Sequence, residues 1–230
     1  MINIRKNFIY KIRYFKTMLK FTSSEIRDLF IAFVVISLCF GIANTGRDMA
    51  ALMAILPMIM VGVGLGFILH ELGHKFVSMK YGYWAEFKLW PQGLIFALIT
   101  SFFGFVFAAP GAVYTYANYM TDEINGKISV AGPVVNIVLA ALFFIVATLV
   151  YRSAFTSQTS LLIYQICALG YSINSFLAVF NLLPIGNLDG SKVLRWNVGI
   201  WIVTIAIAGI MTALPMTMGF EIMVRTDLGF

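Results

Sequence analysis

Residues 49–75 read MAALMAILPMIMVGVGLGFILHELGHK. Up to Leu69 none of them is charged. A helix rises 1.5 Å per residue, so the stretch from Met49 to His70 covers roughly 30 Å, the thickness of a bilayer core. His70, Glu71, His74 and Lys75 then follow without a break. The reading is a transmembrane helix whose polar groups sit at the far membrane face from its start. Outward from it, further apolar runs occupy residues 29–43, 128–151, 161–183 and 198–214. The first is short and must recruit flanking residues to cross. Pro184 should stop the run 161–183.

Composition agrees. Of 230 residues, 60% are hydrophobic and 11% charged, against about 25% charged in soluble domains. A β-barrel is excluded because its strands alternate polar and apolar over about ten residues, whereas these runs are continuous. The predicted fold class is an all-α polytopic membrane protein with five to six transmembrane helices, multi-pass in the cell membrane and in contact with lipid. The net charge of +6 is read as membrane orientation, and no nucleic-acid signature accompanies it. Residues 1–27 form a basic, aromatic-interleaved cytoplasmic segment suited to lie on anionic headgroups. They lack the apolar core and small-residue site of a cleaved signal peptide. Residues 28–230 form the membrane-embedded domain. Cys39 and Cys167 fall in apolar runs and are expected to be buried as small hydrophobes.

Residues 94–116 are apolar but broken by Gly104 and by Ala109, Pro110 and Gly111. Charge asymmetry decides how they are read. If they do not cross, five crossings place thirteen of the 16 Lys and Arg inside and leave Arg47, Arg152 and Arg225 outside. One crossing there would weaken the bias to twelve against four. The segment is therefore expected to be a re-entrant or hairpin element, with the N-terminus cytoplasmic. Irregular backbone at membrane depth is tolerated only against protein or a wet cavity, so it belongs beside an active site.

His70-Glu71-Leu72-Gly73-His74 is HExxH. On a helix, i and i+4 share a face, so both imidazoles reach one metal ion while Glu71 addresses a water on it. Neutral imidazole suits zinc, Zn2+, whose catalytic sites take three protein ligands and one water. The competing account is two histidines packing as polar residues between helices. Ionisable groups within a span are costly, however, and three within five positions mark function.

The chain has only two histidines, so the third ligand must be of another type. Asp189, in NLLPIGNLDG at residues 181–190, returns to the histidines' face in the five-crossing topology. Its competing role is N-cap of a helix starting near Ser191. Glu86, Asp122 and Glu123 are alternative carboxylates in polar loops. Asn136 is read as interhelical glue, and the Gly62 and Gly66 spacing as a close-packing surface.

Three motifs in chain order, HELGH at 70–74, AGPVVN at 131–136 and NLLPIGNLDG at 181–190, resemble those of the site-2 protease family of intramembrane zinc metalloproteases. The resemblance implies that His70, His74 and Asp189 bind zinc and that Glu71 activates water. It also implies that Asn181 holds the substrate or its developing oxyanion, and that a β-like hairpin follows the first motif. The substrate would be a transmembrane protein, cut near the cytoplasmic face. The segment between the second and third spans is too short for a PDZ-like insertion. The rival readings are a metal transporter and a non-catalytic scaffold. A transport path should carry polar groups along several spans, whereas here they gather near one face.

Overall fold

The computed structural model describes residues 20–46 and 48–227. Of the basic segment expected over residues 1–27, residues 1–19 lie outside the described residues.

Helix α1 (Ser23–Thr45) starts where the Thr22 side chain accepts the Glu25 amide, and it ends at Gly46, whose φ of 64° a residue with a Cβ rarely adopts. It is longer at both ends than the apolar run 29–43, so it does recruit its flanks. Asp48 caps the next helix by accepting the Ala51 amide at 2.9 Å. That helix is one rod in three parts: α2 (Met49–Val63), a π-helical turn (Gly64–Ile68) and α3 (Leu69–Lys80). Strand β1 (Trp84–Leu89), helix α4 (Pro91–Ser101) and strand β2 (Gly111–Tyr116) follow. Next come α5 (Asp122–Ala154), α6 (Gln158–Asn181), α7 (Asp189–Trp196), α8 (Val198–Met218) and α9 (Phe220–Asp227).

Among the described residues, five helices are long and apolar enough to cross a membrane: Ser23–Thr45, Met49–Lys80, Asp122–Ala154, Gln158–Asn181 and Val198–Met218. This is the expected all-α polytopic class. Helix α6 ends three residues before Pro184, because the residue ahead of a proline is driven out of helical geometry. Helix α8 has one buried residue, Ala208. Its remaining apolar surface suits lipid, which needs no polar cover.

The hairpin is real, but its first arm lies earlier than residues 94–116. The arms are β1 and β2, antiparallel, with Trp84 opposite Tyr116 and Leu89 opposite Gly111. Trp-Ala-Glu-Phe-Lys-Leu alternates with a period of two and buries Ala85 and Phe87. That pattern is short and lies in a polar stretch, so the longer apolar run beside it drew the assignment. Between the arms, α4 has 11 residues, about 16 Å of helix, too little to cross. It exposes Ile95, Phe96 and Ile99.

Helix α1 holds the hairpin. Glu25 accepts the Phe87 amide at 3.1 Å and Asp28 accepts the Leu89 amide at 3.3 Å. Glu86 accepts Thr22 Oγ1 at 2.5 Å and Ser24 Oγ at 3.2 Å. The outer edge of β1 is thus covered by α1. N–H groups alternate sides along a strand. With Phe87 and Leu89 turned to α1, their partners Val113 and Gly111 turn their own backbone groups to the other edge of β2. The largest apolar core lies among α1, α2, the hairpin and α6, built on Ile36, Phe40, Ile59, Phe87, Ile173 and Phe180. Cys39 and Cys167 are free and buried.

Candidate metal centre

Helix α3 presents His70, Glu71 and His74, all buried, toward α5 and α7. After α6, residues 182–188 fold back tightly. Leu182 is buried, its carbonyl accepts Trp201 Nε1 at 2.8 Å, and Gly186 takes φ 55°. This return delivers Asp189 as the first residue of α7. The side chain of the preceding residue makes no capping bond, and the Asp189 carboxylate turns inward instead. The N-cap role that competed with ligation is therefore not the one its side chain plays.

Asp189 Oδ2 lies 3.4 Å from His70 Nε2 and 3.1 Å from His74 Nε2, and the two Nε2 atoms are 3.0 Å apart. The backing of the rings determines what these atoms are. His74 Nδ1 faces the Ile128 carbonyl at 2.8 Å. A carbonyl only accepts, so Nδ1 carries the proton and Nε2 a lone pair. His70 Nδ1 faces Asn136 Oδ1 at 2.6 Å. The amide Nδ2 of Asn136 is engaged elsewhere, so His70 has the same tautomer. In the neutral rings, two lone pairs and a carboxylate oxygen thus converge.

That donor set fits a metal cation. Four ligands at about 2.0–2.1 Å in a tetrahedron stand about 3.3 Å apart, which matches the three separations. The space is also kept clear: a Cβ on Gly132 of α5 would stand 2.6 Å from His70 Nε2 and closer still to His74 Nε2. Among the described residues, His70, His74 and Asp189 form the one His/Cys/Asp/Glu group able to hold a metal ion.

Glu71 Oε2 is buried and has no hydrogen-bond partner among the described residues. A buried carboxylate oxygen in that condition costs free energy unless something else fills its valence. The Val113 amide, on the free edge of β2, faces the same carboxylate. Lys192 Nζ stands 3.6 Å from Asp189 Oδ1, the oxygen turned away from the histidines.

Asn181 is not gathered in. Its Nδ2 donates to Leu177 O at 2.9 Å, one turn back in its own helix. Among the described residues it makes no hydrogen bond to the histidines, Glu71 or Asp189. The alternative carboxylates are also elsewhere: Glu86 is held by Thr22 and Ser24, Glu123 pairs with Lys127, and Asp122 begins α5. Sequence reasoning took Asn136 for helix glue and gave no role to Gly132 or Lys192. The signal available was AGPVVN itself, where a glycine and an amide four apart share one helix face.

The sequence model of peptidase family M50 matches residues 58–218. The chain belongs to peptidase family M50, the site-2 protease family. With its five apolar helices, this M50 chain is a multi-pass membrane metalloprotease. A Methanocaldococcus jannaschii protein named "Putative zinc metalloprotease" is 45% identical to it over 183 residues, 79% of this chain and 89% of the relative. A Bacillus subtilis protein of the same description is 28% identical over 62% of this chain and 70% of its own length. A second M. jannaschii protein, "Zinc metalloprotease", is 28% identical over 81% of the M50 chain and 45% of its own length. No solved structure matches the chain. Helix α1, whose carboxylates hold β1, precedes the segment matched by the family model.

Proposed function

We propose that this protein is an intramembrane zinc protease that hydrolyses peptide bonds of transmembrane substrate proteins near the cytoplasmic face. In this reading His70, His74 and Asp189 hold the zinc and Glu71 is the general base. The observation that carries it is the convergence of three proton-free ligand atoms beside a buried carboxylate oxygen with no partner. Zinc bound there supplies a Lewis acid for the scissile carbonyl and makes a water acidic enough to give up its proton near neutral pH. Glu71 takes that proton on Oε2 and returns it to the leaving amine. Ile128 O and Asn136 Oδ1 hold the two imidazoles in the tautomer that ligation needs. Asn181 is assigned to substrate or oxyanion binding on motif resemblance, which requires it to leave Leu177 O when substrate arrives.

A substrate helix keeps its carbonyls hydrogen-bonded, so it must unwind before hydrolysis. The free edge of β2, where Val113 faces Glu71, offers backbone partners to the freed segment and sets it beside the base. The cytoplasmic placement and the inward N-terminus rest on the positive-inside bias, thirteen basic residues against three. The test is cleavage of a transmembrane substrate in reconstituted vesicles by wild type and Glu71→Gln, with zinc content measured in both. Equal cleavage rules out the proposed base, and absence of zinc from wild type rules out the centre.

A further inference from the structure

Beneath His70 runs a buried polar chain that a hydrolytic site does not require. Asn136 on α5 and Asn174 on α6 are both fully buried. Asn174 Nδ2 donates to Gly170 O at 2.8 Å and to Gly62 O at 3.3 Å. Asn174 Oδ1 accepts Asn136 Nδ2 at 3.0 Å, and the same Nδ2 donates to Gly66 O at 3.1 Å. Asn136 Oδ1 then faces His70 Nδ1 at 2.6 Å.

We propose that Asn174 and Asn136 are positioning residues whose amides, oriented by backbone carbonyls, fix the tautomer of His70 and thereby aim its Nε2 lone pair at the metal. The inference rests on the reading of His70 as a zinc ligand. The chain has a direction because both of its far ends are carbonyls, which can only accept. Turning the Asn174 amide over would set its oxygen against Gly62 O and Gly170 O. Turning the Asn136 amide over would set its oxygen against Gly66 O and Asn174 Oδ1, and would offer His70 an N–H. His70 would then have to accept at Nδ1 and carry its proton on Nε2, where it could not ligate. Each step forbids the wrong state of the next, from the α2–α6 packing surface to the metal.

The backbone is shaped for this chain. Gly66 lies in the π-helical turn just before the metal helix, and a Cβ there would stand 2.7 Å from Asn174 Oδ1. A Cβ on Gly62 would stand 3.1 Å from Gly170 Cα. These glycines let α6 bring an amide against the rod, a closer approach than packing alone needs. Ordinary interhelical glue would account for the bonds to Gly66 and Gly62. It does not account for an amide oxygen aimed at a ligand's Nδ1.

The test uses the full chain in detergent with 15N-labelled imidazoles; with only two histidines, each ring is resolved. Zinc-loaded wild type should show both rings protonated at Nδ1 and metallated at Nε2. In chelator competition Asn136→Leu should bind zinc on the order of 10–100-fold more weakly and lose the single His70 ring state. Asn174→Leu, which removes only the far member of the chain, should fall between Asn136→Leu and wild type. A His70 ring protonated at Nε2 in wild type overturns the proposal, even if the leucine variants fail to fold. So does an Asn136→Leu protein with wild-type affinity and ring signals. Wild type that takes up no zinc removes the metal centre itself, whereas normal zinc uptake with an unaffected Leu variant removes the relay alone.

Discussion

A Cβ on Gly132 would stand 2.6 Å from Nε2 of His70. Helix α5 therefore crosses the metal helix at the one residue type that leaves the ligand atoms a common space. Gly132→Ala places a methyl group where the proposed zinc would sit. We expect a folded protein, since one methyl in a polar cleft need not disrupt the five-helix core, but zinc affinity lowered on the order of tenfold or more. Metal analysis of the purified variant beside wild type reads this directly. Full occupancy would mean that the ligands do not converge on the space Gly132 leaves.

Glu71→Gln changes only the proposed base. The amide occupies the carboxylate's volume and none of the three ligand atoms belongs to residue 71. Zinc content should stay at the wild-type level while cleavage falls by about 10²–10⁴, the usual contribution of a general base. Loss of zinc along with activity would show that Glu71 shapes the metal site instead of accepting a proton.

Asp189→Asn separates ligation from helix capping. Asp189 makes no capping bond, so the substitution should leave helix content and thermal unfolding of the metal-free protein close to wild type. A true N-cap would lose about 1 kcal/mol on truncation. Zinc affinity should drop, because a neutral amide oxygen replaces the anionic donor 3.1 Å from His74 Nε2. Unchanged affinity in chelator competition would take Asp189 out of the ligand set.

Lys75, directly after the motif, is 1% exposed and bonds Glu25 at 2.7 and 2.5 Å. Its ammonium also lies 4.2 Å from the centre of the Phe21 ring. Glu25 in turn accepts the Phe87 amide, so one buried ion pair ties α1, the metal helix and β1 together. Breaking it from one side leaves an uncompensated buried charge, a cost of about 3–5 kcal/mol. Glu25→Gln and Lys75→Met should each lower the unfolding temperature strongly, and the double variant should be more stable than the sum of the two predicts. Additive losses in that cycle would show that the two charges act independently.

The membrane class, the number of crossings and the identity of the motif residues were legible in the sequence alone. Apolar run length is set by bilayer thickness, and HExxH spacing by the helical repeat, so both are local and need no knowledge of neighbours. The return of Asp189 to the histidines could also be anticipated, because counting crossings orders the ends of the helices. The tertiary structure alone decided the rest. The hairpin arms lie at β1 and β2 because α1 carboxylates satisfy the amides of Phe87 and Leu89, a contact across about sixty residues that no local pattern encodes. Asn136 became a partner of His70, and Gly132 the space between two imidazoles, only when α5 crossed α3. An amide or a missing side chain acquires meaning from what is packed against it, and helix–helix crossing points are set by the whole bundle and not by any one segment.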